Sequence, residues 1–587
     1  MYLHIFILMC LDTLIIAMQT PTKDTKFKFN TLSNEFLPYA YTPDPLFGVD
    51  KGATEQLSFD PSSKLIYAVG NTNIHVLDMA DVNKLTVLFH QSYTGVDITD
   101  VHVCGGHVFV AIDNTTRHKD GFVNVYKLYN KETQTLDLVH SIEVGTFPDM
   151  VLTTPDCKTL IVAIEAEPYD DNANAVLVDN PGGIGLVKFP QGPNGAYTKN
   201  VLGFHSFDDR YFAELESQGV MYINRNATFS DDVEPEYITL NTEGTLAYVS
   251  LQENNGIAVV DLASEEIVDI FGLGFKDWSL ANIDPSDRDG GVHMQPWKVF
   301  GMYQPDAIKM LRFQNEDFIV TANEGDSKDY DYFSEENRVG DFVLSELFER
   351  NATLRDEWTT DSVLGRLKVT SVKGKNETTQ HYDQLYSFGG RGFSIRRASD
   401  MSLVYDSGDE IATKTAELLP HLFNANFDES TAVSDSSDTR SDDKGPETES
   451  IAIGHIGDIT LLFIGNERGS TIAVYTLDQT AAEITPQFET FIYGVGDSDE
   501  TWGDLYTARD MSMVDPEDIT FIAANDSPNG KPLLLVGGGF SGTVTVLQMD
   551  VQLGLPNTAS ALSRIFKSSL SITEAWITCY LFHVLLY

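Results

Sequence analysis

The sequence predicts an all-β propeller of about seven blades, on three observations: a recurring strand–turn–strand unit, a shared opening to most of those units, and no helical periodicity between their strands. The clearest unit, residues 234–262, reads EPEYITLNTEGTLAYVSLQENNGIAVVDL. Runs rich in Val, Ile, Tyr and Leu alternate with Asn/Gly turns, which is the pattern of consecutive hairpins. Such a unit is too small to cover both faces of its own sheet, so units must stack. Radial stacking satisfies that need and leaves only short edges. A β-sandwich explains turn-rich strands but not seven similar units.

In chain order, the units begin with LSFDPSSKLIYAVGNTNIHVLDM (57–79) and VDITDVHVCGGHVFVAIDNTTRHKDGFVNVYKLY (96–129). The third, from Phe147, reads FPDMVLTTPDCKTLIVAI, and the fourth is the clear copy above. The fifth opens as QPDAIKMLRFQNEDFIVTANEGD at Gln304 and is swollen: residues 324–392 separate its second strand from FSIRRASDMSLVYD. Within that insertion VGDFVLSELFERN reads as partly helical. An acidic loop over 407–445 precedes the sixth unit, which starts at Gly445, and the seventh starts at Asp515. Loops this long in a compact fold are functional or disordered. The domain reading is residues 1–20 as a signal peptide, 21–48 as an N-terminal segment, 49–550 as the propeller and 551–587 as a tail.

Residues 2–18, YLHIFILMCLDTLIIAM, have signal-peptide length and apolarity ahead of a polar segment. The tail carries small residues (Asn557 to Ser560), a basic spacer and the apolar AWITCYLFHVLLY, the order a lipid-anchor signal uses. Asn114, Asn226, Asn351 and Asn376 sit in N-x-S/T sequons that agree with export, and Asn525 in a weaker one before Pro528. Cys104 and Cys157 occupy near-equivalent points in consecutive units. In an oxidising compartment they either pair or remain as buried free thiols.

Charge dominates the composition: 87 Asp and Glu against 39 Lys and Arg, a formal net charge of −48. Such a chain repels nucleic acid and attracts cations or basic extracellular proteins. A Pro-acid dipeptide recurs as Pro148-Asp149, Pro235-Glu236, Pro305-Asp306, Pro446-Glu447 and Pro516-Glu517. In a propeller a position shared by blades makes a ring, and a ring of carboxylates suits Ca²⁺ or Mg²⁺. Proline also opens a strand without wasting a ladder donor, so the dipeptide has a purely structural use. A second recurrence closes the middle strand with Glu253, Glu324 and Glu467, with Glu165 a looser match and Gly537-Gly538-Gly539 a departure in the seventh unit. The densest acidic run, GDSKDYDYFSEENRVGD, holds Asp326 and Asp329, and RSDDKGPETE holds Asp442, Asp443 and Glu447. Together Glu253, Asp306, Glu324, Asp326, Asp329, Asp442, Asp443, Glu447 and Glu467 are the candidate metal ligands. Arg338, Arg391 and Arg440 could instead pair with these acids. Neither run fits an EF-hand, and there is no P-loop, nucleophile elbow, H-E-x-x-H or Cys-x-x-Cys.

The stretches EPEYITLNTEGTLAYVSLQENNGIAVVDL, GLGFKDWSL, DPSDRDGGV, VTANEGDSKDYDYFSEENRV, SFGGRGFSI, RSDDKGPETE and DSPNGKPLLLVGGGFSGTVTV resemble the mesenchyme-specific cell-surface glycoprotein family, whose shared region is the choice-of-anchor I domain. The resemblance runs from about residue 50 to 549. It implies a secreted, glycosylated, often lipid-anchored protein linked to biomineral deposition, with calcium or calcium mineral as its partner. Some bacterial relatives are labelled alkaline phosphatase-like. That implies, as the alternative, a metal-dependent phosphoesterase with Glu324 and Asp326 on the metal and Arg391 or Arg440 on the phosphate. A protein-interaction disc is the third reading, since the fold does not decide function.

Overall fold

The computed structural model describes residues 26–552. The expected signal peptide and the anchor-like tail lie outside the described residues. Seven four-stranded antiparallel sheets follow one another. Blade 1 covers 56–92, blade 2 96–146, blade 3 148–203, blade 4 235–272, blade 5 308–406 and blade 6 448–493. Three strands of blade 7 come from 518–552. Its fourth and outermost strand is Lys26–Phe36, paired antiparallel with Thr543–Gln552 from Lys26↔Gln552 to Phe36↔Thr543. The propeller therefore begins well before residue 49 and is closed by the N-terminal strand.

Within a blade, the second and third strands are apolar on both faces because both faces meet a neighbouring blade. In blade 4, Leu246–Leu251 and Gly256–Asp261 are buried almost throughout, whereas the outer strand Glu266–Gly272 alternates. Packing is correspondingly between blades. One apolar cluster joins Ala68 and Leu77 of blade 1 to Leu535 and Val544 of blade 7, and similar clusters fill the other six seams. Near the axis, side chains latch neighbours together. Asp518 Oδ2 accepts from the Leu57 N–H across blades 7 and 1 (3.1 Å). Asp100 Oδ2 accepts from the Val151 N–H across blades 2 and 3 (2.7 Å), and Thr239 Oγ1 from the Met310 N–H across blades 4 and 5 (3.0 Å).

Cys104 and Cys157 form a disulfide with a Cα–Cα separation of 5.7 Å. The sequence left this open because equivalent points on neighbouring blades can lie too far apart. Both cysteines sit at the turn that follows a first strand, where blades crowd around the axis. Cys104→Ser with Cys157→Ser should cost about 2–5 kcal/mol, read by denaturant unfolding under oxidising conditions. A loss below about 1 kcal/mol would show that the seam is held by packing alone.

The fifth-unit insertion is a small body of its own. Phe275–Asp277 and Phe300–Met302, from before blade 5, join Glu336–Arg338, Lys368–Thr370 and Tyr386–Ser387 in a five-stranded sheet. Trp278, Val299, Leu364, Leu367, Val369 and Leu385 make its core. The expected helix over VGDFVLSELFERN is not formed. Only Val339–Asp341 makes a 3₁₀ turn, and Leu344 bridges to Tyr382 instead. The helix comes later, Ala352–Trp358, where the Asn351 side chain accepts from the N–H groups of Thr353 and Leu354 as an N-cap. Of the sequon asparagines, Asn226 and Asn351 are exposed, while Asn114 and Asn376 are half-buried.

Candidate metal centre at the channel mouth

Each first strand enters beside the axis. Aligning the blades by their pairing (Leu57↔Ala68, Val101↔Val110, Val151↔Val162, Ile238↔Val249, Ile308↔Thr321, Ile451↔Ile464, Ile519↔Val536) fixes one common position two residues earlier. That position holds Glu55, Thr99, Asp149, Glu236, Asp306, Glu449 and Glu517. Six blades of seven contribute a carboxylate. The Pro-acid pattern names Glu447 as the blade 6 member, but in the structure it is Glu449. Blade 6 has the same bulge as blades 3 and 4, but Thr448-Glu449 stands where they have Pro148-Asp149 and Pro235-Glu236, so the second acid of the run PETE falls in the ring.

These side chains converge on the axis. Asp149 lies within electrostatic reach of Glu55 and Asp306, from blades that are not its neighbours, and Asp306 reaches Glu517 as well. Burial, with the Glu167 charge second, pushes Asp149 up to about 6; burial also pushes Glu55 up to about 7 against a hydrogen bond from the Asn71 N–H, helped by Asp515, Asp97 and Asp149. For Glu236 and Glu517 burial comes first and like-charged neighbours second, and both carboxyls sit well above the ordinary range. In the same channel Lys309 donates to the Tyr237 hydroxyl (3.2 Å). Burial lowers its pKa, against the pull of Asp518, Asp100 and Asp306.

A second tier stands where the second strands end: Asp113, Glu165, Gln252, Glu324, Glu467 and Gly539, each one residue beyond the last that pairs with its blade's third strand. Glu253 follows Gln252, is 5% exposed and has an oxygen without a partner. The Gln252 side-chain amide donates to Glu324 across the seam of blades 4 and 5 (2.9 Å).

Much of this upper tier is neutralised by the protein itself. Glu324, Glu447 and Glu467 bring oxygens within 4.8 Å of one another. Yet Lys444 reaches Glu324 at 3.0 Å and Glu447 at 3.7 Å, Arg440 pairs with Glu447 at 2.7 Å, and Arg468 pairs with Glu467 at 2.7 Å. Burial alone would raise Glu447, but these three cations overcome it and hold the carboxyl down at about 2. Asp326 is half-exposed and faces Lys444 at 3.4 Å. Asp442 is gripped by Arg338 and Arg366 at 2.6 and 2.8 Å, and Asp443 by Arg440 and Lys368 at 2.9 and 3.0 Å. Asp329 is exposed on a separate hairpin. Arg391 is 3% exposed and donates to the carbonyls of Asp284, Ser441 and Asp443, so its guanidinium is committed to the fold. Of the nine sequence candidates, the structure gathers Asp306, Glu253, Glu324, Glu447 and Glu467 at the mouth.

Two groups were not singled out by the sequence. Lys328, 1% exposed, places Nζ 2.9 Å from Asp179, 3.0 Å from Asp232 and 2.5 Å from Glu234, tying the insertion to blade 3 and to the entry of blade 4. Glu449, Asp515 and Glu517 form a second three-carboxylate cluster, with oxygens within 4.8 Å of one another and no Lys or Arg within ion-pair distance among the described residues.

The choice-of-anchor I domain model matches residues 55–480 of this chain. The chain belongs to the choice-of-anchor I family. Two curated relatives are similar in sequence. Gigasin-3a from Magallana gigas is 37% identical over 189 residues, 32% of this chain and 66% of that protein. The mesenchyme-specific cell surface glycoprotein of Strongylocentrotus purpuratus is 29% identical over 355 residues, 54% of this chain and 45% of that protein. This choice-of-anchor I chain thus spans less than two thirds of either relative. Among solved structures, Kuenenia stuttgartiensis hydrazine synthase aligns over 87% of this chain and 99% of its own at 11% identity, with a TM-score of 0.40. The beta-propeller domain of Myceliophteria thermophila Swd1 aligns over 89% and 99% at 8% identity, with a TM-score of 0.37. The seven-bladed assignment rests on the sheets themselves.

Proposed function

We propose that this chain is an extracellular, cell-surface glycoprotein whose propeller mouth takes up calcium, free or at a mineral surface. One observation carries the reading: six blades of seven place a carboxylate at the same register position beside the axis, while Lys444 and Arg468 pair with the outer tier instead. Buried like charges are costly unless a cation joins them. Hard carboxylate oxygens in number are what calcium prefers. The name of the sea urchin relative, a cell surface glycoprotein, supports the location. So do the exposed sequon residues Asn226 and Asn351 and the Cys104–Cys157 disulfide, which an oxidising compartment permits.

The phosphoesterase reading gains no support from the arginines it would use. Arg391 is spent on carbonyls, and Arg440 on Glu447 and Asp443. The deciding experiment is a calorimetric calcium titration of the metal-stripped secreted protein at physiological salt. The expected result is a small number of saturable sites. Uptake that never saturates and vanishes in 0.15 M salt, where the Debye length is about 8 Å, would reduce the acidity to a diffuse surface charge.

A further inference from the structure

The carboxylates at the mouth are not equivalent, and blade 7 departs from the rest. Where other blades end their second strand with Asp113, Glu165, Gln252, Glu324 or Glu467, blade 7 has Gly539. Its backbone is not in the left-handed region, so glycine is not needed there for conformation. It is needed for room. A Cβ at Gly539 would stand 2.7 Å from Glu517 Cγ, 2.8 Å from Glu517 Oε1 and 3.0 Å from Asp515 Oδ2. The space a side chain would take is occupied by two carboxylates.

Asp515 is held there deliberately. It adopts φ +66°, a left-handed conformation uncommon for a residue with a side chain. Its N–H donates to Ser470 Oγ (3.0 Å) and its carbonyl accepts from the N–H groups of Glu517 and Gly539. Although Asp515 is only 8% exposed, its Oδ1 has no hydrogen-bond partner, and neither has Oε2 of Glu449 across the seam. Buried carboxylate oxygens are ordinarily satisfied. The nearby Glu324–Glu447–Glu467 cluster shows how this protein stabilises such a group when it wants no ligand, by adding Lys444, Arg440 and Arg468. Here Arg468, already paired with Glu447 and Glu467, acts on Asp515 only from beyond ion-pair distance.

We propose that Glu449, Asp515 and Glu517 form a discrete divalent-cation site at the seam of blades 6 and 7, built for calcium. Carboxylate oxygens that all lie within 4.8 Å of one another can share one ion bound at 2.3–2.6 Å. Three carboxylates offer up to six oxygens, near the six to eight that calcium takes, whereas magnesium keeps several waters and is usually bound through only one or two carboxylates. The inference rests on the reading that the mouth takes up calcium and names where the tightest ion sits.

The test is calcium titration of the metal-stripped full-length protein and of Gly539→Ala, Asp515→Asn and the exposed control Asp329→Asn. Thermal midpoints with and without calcium accompany each. Gly539→Ala and Asp515→Asn should each weaken the tightest site at least tenfold and lose the calcium-dependent rise in midpoint, while Asp329→Asn keeps both. Asp515→Asn should melt with the natural protein in chelator, which separates a lost ligand from a folding defect. If both variants keep the tight site, the assignment to this cluster is overturned while the mouth still takes up calcium. If the natural protein binds no calcium saturably, the reading of the mouth fails and the site with it.

Discussion

Lys328→Met should destabilise the protein by about 3–5 kcal/mol, the range for breaking a buried ion pair from one side. Methionine approximates the volume of the lysine, so packing changes little. What changes is that Asp179, Asp232 and Glu234 lose their one shared cation. Burial by itself would lower the Lys328 pKa, but Glu234, Asp232 and Asp179 reverse this and hold it well above its usual value, so the ammonium is charged across the accessible range. Denaturant unfolding of the variant reads the loss directly. Adding Glu234→Gln to Lys328→Met should recover part of it, because one stranded charge is then removed. A single-variant loss below about 1 kcal/mol would mean that water reaches the group and that the tie between the insertion and blades 3 and 4 is dispensable.

The metal-stripped protein should lose stability as pH rises from 6.5 to 8. Burial is the leading cause of the raised values at Glu335 (about 8), Asp100 (about 7), Asp438 (about 7) and Glu234 (about 7). In the unfolded chain such carboxyls titrate near pH 4. Across this window the folded state therefore binds protons that the unfolded state has released. Stability falls with pH wherever the folded state binds more protons. Each fully protonated group contributes up to about 1.4 kcal/mol per pH unit until its folded pKa is passed. The window has a lower bound for a reason: burial lowers His75 to about 3 and His102 to about 4, so below pH 6.5 the unfolded state gains protons at these histidines and the trend is opposed. Thermal midpoints in chelator at pH 6.5, 7, 7.5 and 8 should fall by several degrees in total. A flat or rising series would mean that the buried carboxyls are ionised and solvated.

The repeat was readable because each blade carries its own hairpin code: YITL, NTEG, TLAYVSL, QENNG and IAVVDL spell three strands and two turns within one stretch of chain. The closing strand KFKFNTLSNEF has no such code, since its partner lies at the other end of the chain and no local turn announces it. The carboxylate ring was visible as a recurring Pro-acid pair, and four of its six acids, Asp149, Glu236, Asp306 and Glu517, follow from that pattern. Neither Glu55 nor Glu449 has a preceding proline: Glu449 follows Thr448, two residues beyond the pair in its own blade. Gly539 was visible only as a departure, and its meaning required knowing that Glu517 and Asp515 lean into the same space. Lys328 stood in an acidic run that reads as solvated. Burial there depends on blade 3 and blade 4 residues about 90 to 150 positions earlier.

The pairing of Lys26–Phe36 with Thr543–Gln552 also imposes an order on biosynthesis. The strand that leaves the ribosome first must wait for the strand that leaves nearly last. Blades 1 to 6 can form as they emerge, but the circle has no seventh seam until residue 552 is free. During that wait Lys26–Phe36 has no partner strand, and the faces of blades 1 and 6 that will meet blade 7 are open, the kind of surface on which strangers add. Closing so long a loop late is slow. Ring closure is therefore a late step of assembly for this chain, and the species exposed to mispairing is the open ring rather than any single blade.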